Sequence, residues 1–170
     1  MKRSPVIFGG LALVVVALTV LVLGKERLLA RGTPLLLELA PVDPRSLMQG
    51  DYMVLDYAVS READPSSYSQ VEDGRLVLRR DEQGVGHFVR RETPEPLAPG
   101  ELWLRYKVRR GRVRLGAESF FFQEGLADRY ARAKYGELRV DDDGSSVLVG
   151  LRDAERRPLG GPLPASADAP

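Results

Sequence analysis

The chain has 170 residues, 44% hydrophobic and 29% charged, a globular balance with room for one domain of ordinary size. Its formal charge is +1, and setting aside Lys2 and Arg3 leaves 23 basic against 24 acidic residues, so no strong field exists to gather nucleic acid. With no cysteine and a single histidine, His87, the sequence excludes disulfides, cysteine-ligated metals, thiol catalysis and any centre that needs two imidazoles.

The first element is the run Val6 to Leu23, VIFGGLALVVVALTVLVL, which has no charge and only Thr19 as a polar interruption. At ~1.5 Å per residue it spans most of a ~30 Å hydrocarbon core, and this predicts a single transmembrane helix over 6–23. A cleavable signal peptide would carry a shorter apolar core, ~7–15 residues, and a small-x-small site; Val22-Leu23-Gly24 is a poor one. The helix is therefore expected to stay in lipid as an anchor. Lys2 and Arg3 before it nearly balance Lys25, Arg27 and Arg31 after it. The short head 1–5 is expected in the cytoplasm and the soluble domain outside. Residues 24–33, GKERLLARGT, are expected to form a juxtamembrane stem.

From Pro34 to Asp153 the signals are strands separated by turns. Leu35 to Leu39 is an apolar run stopped by Ala40-Pro41, and Tyr52 to Ser60 is rich in β-formers. Arg75–Arg80 and Val85–Arg91 flank Asp81-Glu82-Gln83-Gly84 as a hairpin. Leu102–Val108 turns at Arg109-Arg110-Gly111 into Arg112–Ala117, with Leu102, Leu104, Tyr106 and Val108 on one face and Trp103, Arg105 and Lys107 on the other. Glu137–Val140 and Val147–Leu151 make a last hairpin around Asp141-Asp142-Asp143-Gly144. Only Gly125–Tyr135 has helical spacing. Residues 154–170, rich in Pro, Gly and Ala, are expected to be a flexible tail. The whole predicts a mainly β fold, an antiparallel barrel or sandwich with one short helix, behind a single N-terminal transmembrane helix.

Two stretches are distinctive. Asp43 to Tyr57 contains GDYMVLDY, which fits Gly-Asp-Tyr-x-x-Leu-x-Tyr, and Gly116 to Gly125 reads GAESFFFQEG. In this order they resemble the family of bacterial membrane-anchored proteins named for its GDYxxLxY motif, over most of 34–153. The resemblance implies a bacterial membrane-anchored protein in the company of multi-spanning membrane proteins; with the head in the cytoplasm, the anchor is expected in the inner membrane and the domain in the periplasm.

Read as residues, Gly50 permits a sharp turn into a strand, and Asp51 accepts turn amides or pairs with Arg45. Along the strand Tyr52, Val54 and Asp56 share one face, and Met53, Leu55 and Tyr57 the other. The two tyrosines suit a barrel wall with wet ends. Phe120, Phe121 and Phe122 alternate, so at least one ring points away from the core, while Glu124 and Gly125 end the strand and open the helix. Gly50, Asp51, Tyr52, Leu55, Tyr57, Phe120, Phe121, Glu124 and Gly125 are the candidate interaction residues.

Catalytic sets are missing. Type I signal peptidases also enter a strand with Gly-Asp, but the position of their serine is Val42 here, and Ser46 has no spacing that brings Lys107 or Lys134 to it as a base. Asp51 and Asp56 are five apart, on opposite strand faces. Asp141–Ser145 lacks the remaining spacing of a calcium loop, Gly84-Val85-Gly86 is a turn with no helix after it, and Arg109–Arg114 reads as a solvated hairpin able to rest on anionic headgroups. No cofactor or metal is expected. The expected function is a non-enzymatic membrane-anchored accessory that binds another membrane or envelope protein. The alternatives are a small-molecule or glycan sensor with Tyr57 and Trp103 at a barrel mouth, and a degenerate signal-peptidase-like hydrolase.

Overall fold

The computed structural model describes residues 4–40, 48–49, 52–63 and 73–160. Its first element, α1 (Ser4–Arg31), has 28 residues, about 42 Å at ~1.5 Å each and more than a bilayer's ~30 Å core requires. The large apolar side chains from Phe8 to Leu23 are exposed on all sides. The helix is long and apolar enough to be a membrane anchor or a signal sequence. It does not stop at Leu23: residues 24–31, read as a stem, continue it. Its last turn belongs to the domain. Leu28 is buried, the Gly32 amide donates to the Leu28 carbonyl at 2.9 Å, and Arg139 donates to the Gly32 carbonyl at 3.3 Å. A Cβ on Gly32 would lie 2.5 Å from the Leu28 oxygen, so glycine lets the helix pass into the first strand through one residue.

Ten strands follow among the described residues. They are β1 (Thr33–Glu38), β2 (Met48–Gln49), β3 (Tyr52–Val54), β4 (Asp73–Arg80), β5 (Gly86–Arg91), β6 (Glu101–Arg109), β7 (Arg112–Arg114), β8 (Ser119–Phe121), β9 (Tyr135–Val140) and β10 (Ser146–Arg152). Two short helices, α2 (Ala58–Glu62) and α3 (Ala127–Tyr130), interrupt them. The strands form three antiparallel sheets, in the orders β1-β9-β10, β5-β4-β6-β7 and β2-β3-β8.

Single bonds curl these sheets into a half-barrel. The Leu36 amide donates to the Gly84 carbonyl (2.8 Å), joining β1 to the entry of β5 through the parallel bridge Leu36–Val85. At the other end of the curl the β9–β10 turn reaches β6, where Arg105 N donates to Gly144 O at 2.8 Å. Inward side chains meet in register, Leu35 opposite Leu138 and Leu76 opposite Leu104, and all four are wholly buried. The face expected of β6 is the observed one: Leu104 and Tyr106 are buried while Arg105 and Lys107 are exposed.

Two expected elements differ. The strand expected over Tyr52–Ser60 ends at Val54, and Ala58–Glu62 is helical. Continued alternation would have sent Arg61 inward with Tyr57 and Val59. The helical turn instead buries Val59 and Ala63 at i,i+4 spacing and leaves Arg61 outside, 2.8 Å from Asp56. The helix expected over Gly125–Tyr135 is only Ala127–Tyr130, because the following backbone is claimed by sheet partners: Leu39 N donates to Lys134 O and Lys134 N to Arg152 O, both at 2.8 Å. Residues 154–160, read as the start of the tail, turn back so that Leu159 is buried and its amide donates to Leu151 O at 2.9 Å.

Gly136, opposite Leu37, sits beneath the ring of Tyr57; a Cβ there would lie 2.9 Å from Tyr57 Cε1 and 3.0 Å from its hydroxyl. Gly136→Ala is expected to lower unfolding stability by about 1–3 kcal/mol through overpacking, measured by thermal or urea unfolding of the full chain in detergent; an unchanged transition would show that the ring has room to move.

Candidate functional site

The two distinctive stretches are brought together by the fold. β3 and β8 pair antiparallel, with Tyr52 opposite Phe121, Met53 opposite Phe120 and Val54 opposite Ser119. The pairing runs on past the strand ends, where Leu55 N donates to Glu118 O at 2.8 Å. Leu55 is buried, as the alternation requires, and Tyr57 is inaccessible to solvent. Gly50 and Asp51 lie outside the described residues, as does Ser46 of the hydrolase alternative.

Tyr57 corrects one expectation. It does not place a polar tip at a wet barrel end; its ring fills the core and its hydroxyl donates to the Ala117 carbonyl at 2.7 Å. It therefore cannot share a barrel mouth with Trp103, which lies half-exposed on the outward face of β6 with the Arg75 guanidinium 4.6 Å from its ring centre. Burial first, and the nearby Glu118 carboxylate second, push the Tyr57 phenol far above its ordinary value of 10.0. Glu118 was not legible as a functional residue. Its carboxylate accepts the amides of Leu115 and Gly116 and so closes the turn that offers Ala117 O to Tyr57. The one available signal was its place inside the second distinctive stretch.

The three phenylalanines divide as alternation predicts. Phe120 and Phe122 flank the buried Tyr130, with ring centres 4.9 Å and 5.3 Å away. Phe121 points outward, 74% exposed, with Tyr52 beside it at 5.7 Å. Glu124 and Gly125 are exposed in the turn before α3, where Gly125 has φ +84°. That helix has four residues, too few for its dipole to hold Glu124 in place.

Several charged groups pair across strands or within turns. Glu101, its side chain almost covered, accepts from Arg90 (2.7 Å), Ala98 N (3.1 Å) and Arg79 (3.2 Å), and the Arg90 bond above all holds its carboxyl below the usual range. His87 bonds Asp81 at 3.0 Å and depresses it. Among the described residues no three His, Asp or Glu side chains are grouped to hold a metal.

Tyr57→Phe would leave the buried Ala117 carbonyl without its partner and is expected to cost about 1–3 kcal/mol at neutral pH. The wild-type phenol stays protonated in the fold and ionises in the unfolded chain above pH 10, so folding loses stability as pH rises past 10. The variant should lack that increment. Equilibrium unfolding at pH 7 and pH 10.5 measures both; an equal alkaline loss in the two proteins would refute the assignment.

The model of the family described as GDYXXLXY protein matches residues 14–151, from the middle of α1 to the end of the last hairpin. No curated protein and no solved structure matches the chain. The match spans both halves of the zipped pair, Leu55 and Tyr57 on one side and Ala117 to Phe121 on the other, and on it the chain belongs to the GDYXXLXY family.

Proposed function

We propose that this protein is a membrane-tethered, non-enzymatic accessory that docks another envelope protein through the outer face of β3 and β8. The observation that carries this reading is Phe121, a large ring 74% exposed beside Tyr52 on a strand whose other side is anchored in the core. Rigidly held exposed aromatics are the side chains from which protein interfaces draw most of their energy. Retention of α1 as an anchor is supported by its last turn: Leu28 packs into the domain, and the helix passes into β1 through a single residue. An apolar helix exposed on all sides and continuous with a folded domain finds its remaining partner in lipid. With Lys2 and Arg3 in the cytoplasm, the half-barrel faces the periplasm of the bacterial inner membrane. Its partner there is a protein that shares that compartment, and a multi-spanning one is favoured because the tether confines the half-barrel to the membrane that such a partner occupies.

Phe121→Ala removes an exposed ring and is expected to leave the unfolding transition in place while weakening the partner by about 2 kcal/mol, roughly thirtyfold. The check is quantitative recovery of crosslinked proteins from native membranes, with a photo-crosslinker at position 121 and a control at the exposed Val89 on β5. Equal recovery by wild type and variant, or no product specific to position 121, would count against the docking face. A C-terminal reporter active only in the periplasm tests the orientation.

A further inference from the structure

A second face of the half-barrel carries more positive charge than its acids balance. On the outward side of β4, β6 and β7 three pairs of like charge stand directly opposite one another: Arg75 and Arg105, Lys107 and Arg114, Arg109 and Arg112. Like charges opposite each other oppose strand pairing. The turn between the last two strands is also strained. Arg110 has φ +53° and Gly111 φ +71°, a hairpin geometry that favours Asn or Gly at its first position, yet an arginine is there.

These cations surround a cavity. β7 leaves β6 after the Lys107–Arg114 pair, while the β9–β10 turn lies against β6 at Trp103 and Arg105. Beside β7 is a groove of about 490 Å³ lined by Arg75, Arg105, Lys107, Arg109, Arg114 and Asp73, with Leu115 and Gly116 of the segment after β7 as its wall. Such a volume lies in the range of small-ligand sites. Arg75 is held by Glu92, Arg105 by Asp143 at 2.9 Å, and Lys107 lies 4.0 Å from Asp73. Arg109 and Arg114 have no acid partner among the described residues. Three of the five cations are thus paired, Glu118 is engaged by the Leu115 and Gly116 amides of the wall, and among the described residues the guanidinium groups of Arg109 and Arg114 are left without an ion pair at one cavity.

We propose that this groove binds a phosphate monoester. Two guanidinium forks with no acid partner among the described residues, together with an ammonium, match the three terminal oxygens that a phosphate presents at one centre, where a carboxylate presents two. Bound phosphate also relieves the repulsion across Lys107–Arg114 and Arg109–Arg112. The site is separate from the Phe121 face and stands independently of the docking reading. The same chemistry is offered by a lipid headgroup and by a soluble phosphate, and the experiment separates them.

The full chain is placed in nanodiscs of phosphatidylcholine and titrated calorimetrically with glycerol 3-phosphate, and its melting temperature is compared in discs with and without phosphatidate. Saturable binding of glycerol 3-phosphate in neutral discs identifies a soluble ligand; a rise in melting temperature confined to phosphatidate discs identifies a lipid one. In either case Arg109→Gln combined with Arg114→Gln should weaken the response about tenfold or more, while its own melting temperature without ligand is equal to or above that of wild type. No response to either probe overturns the proposal. So does an undiminished response in the double variant, or a response to polyglutamate alone.

Discussion

The hydroxyl of Tyr57 sits where no water reaches, and it has one acceptor, the carbonyl of Ala117. A buried donor without a partner is expensive, so this bond constrains everything that must be in place for it to form. The residue itself bridges Leu39 at the end of β1, its ring rests against Gly136 of β9, and its acceptor is held by the turn that Glu118 closes. One side chain thus connects the sheet that follows the N-terminal helix, the small β3–β8 pair and the segment leaving β7.

The same economy of single contacts curls the molecule. The β1–β9–β10 and β5–β4–β6–β7 sheets share no continuous ladder at their junction; Leu36 with Gly84 and Arg105 with Gly144 close it with one backbone bond each. Leucines at 35, 76, 104 and 138 fill the enclosed side, and burial of that apolar surface supplies the driving force that isolated bonds cannot. Charges are kept outside and largely matched across strands, as in Arg152 with Glu137 and Arg90 with Glu101. Against this matched background the unmatched cations of β6 and β7 are conspicuous.

The buried residues of the family signature serve folding. Leu55 and Tyr57 are core side chains, and the carboxylate of Glu118 serves a turn. Surfaces with chemistry to offer a partner lie where the signature's buried positions do not reach: the outer ring of Phe121 and the basic groove beside β7. They stand on a domain joined to its apolar helix by the single linking residue Gly32 and by the buried Leu28, so whatever holds the helix also fixes how these faces are presented.

Local pattern was enough to read much of this molecule. The apolar helix, the hairpins around Gly84, Gly111 and Gly144, the inward faces of β3 and β6 and the outward ring among three phenylalanines all follow from period-two or helical spacing, because alternation alone decides which side chain meets the core. What remained hidden depends on residues far apart in the chain. The short helix at Ala58–Glu62 exists because the core takes Val59 and Ala63 but not Arg61; the hydroxyl of Tyr57 finds its acceptor sixty residues away; and the arginines of β4, β6 and β7 become one groove only when register sets them side by side. Sequence spacing carries the direction of a side chain, but the identity of its partner across space is decided only when the sheets curl together.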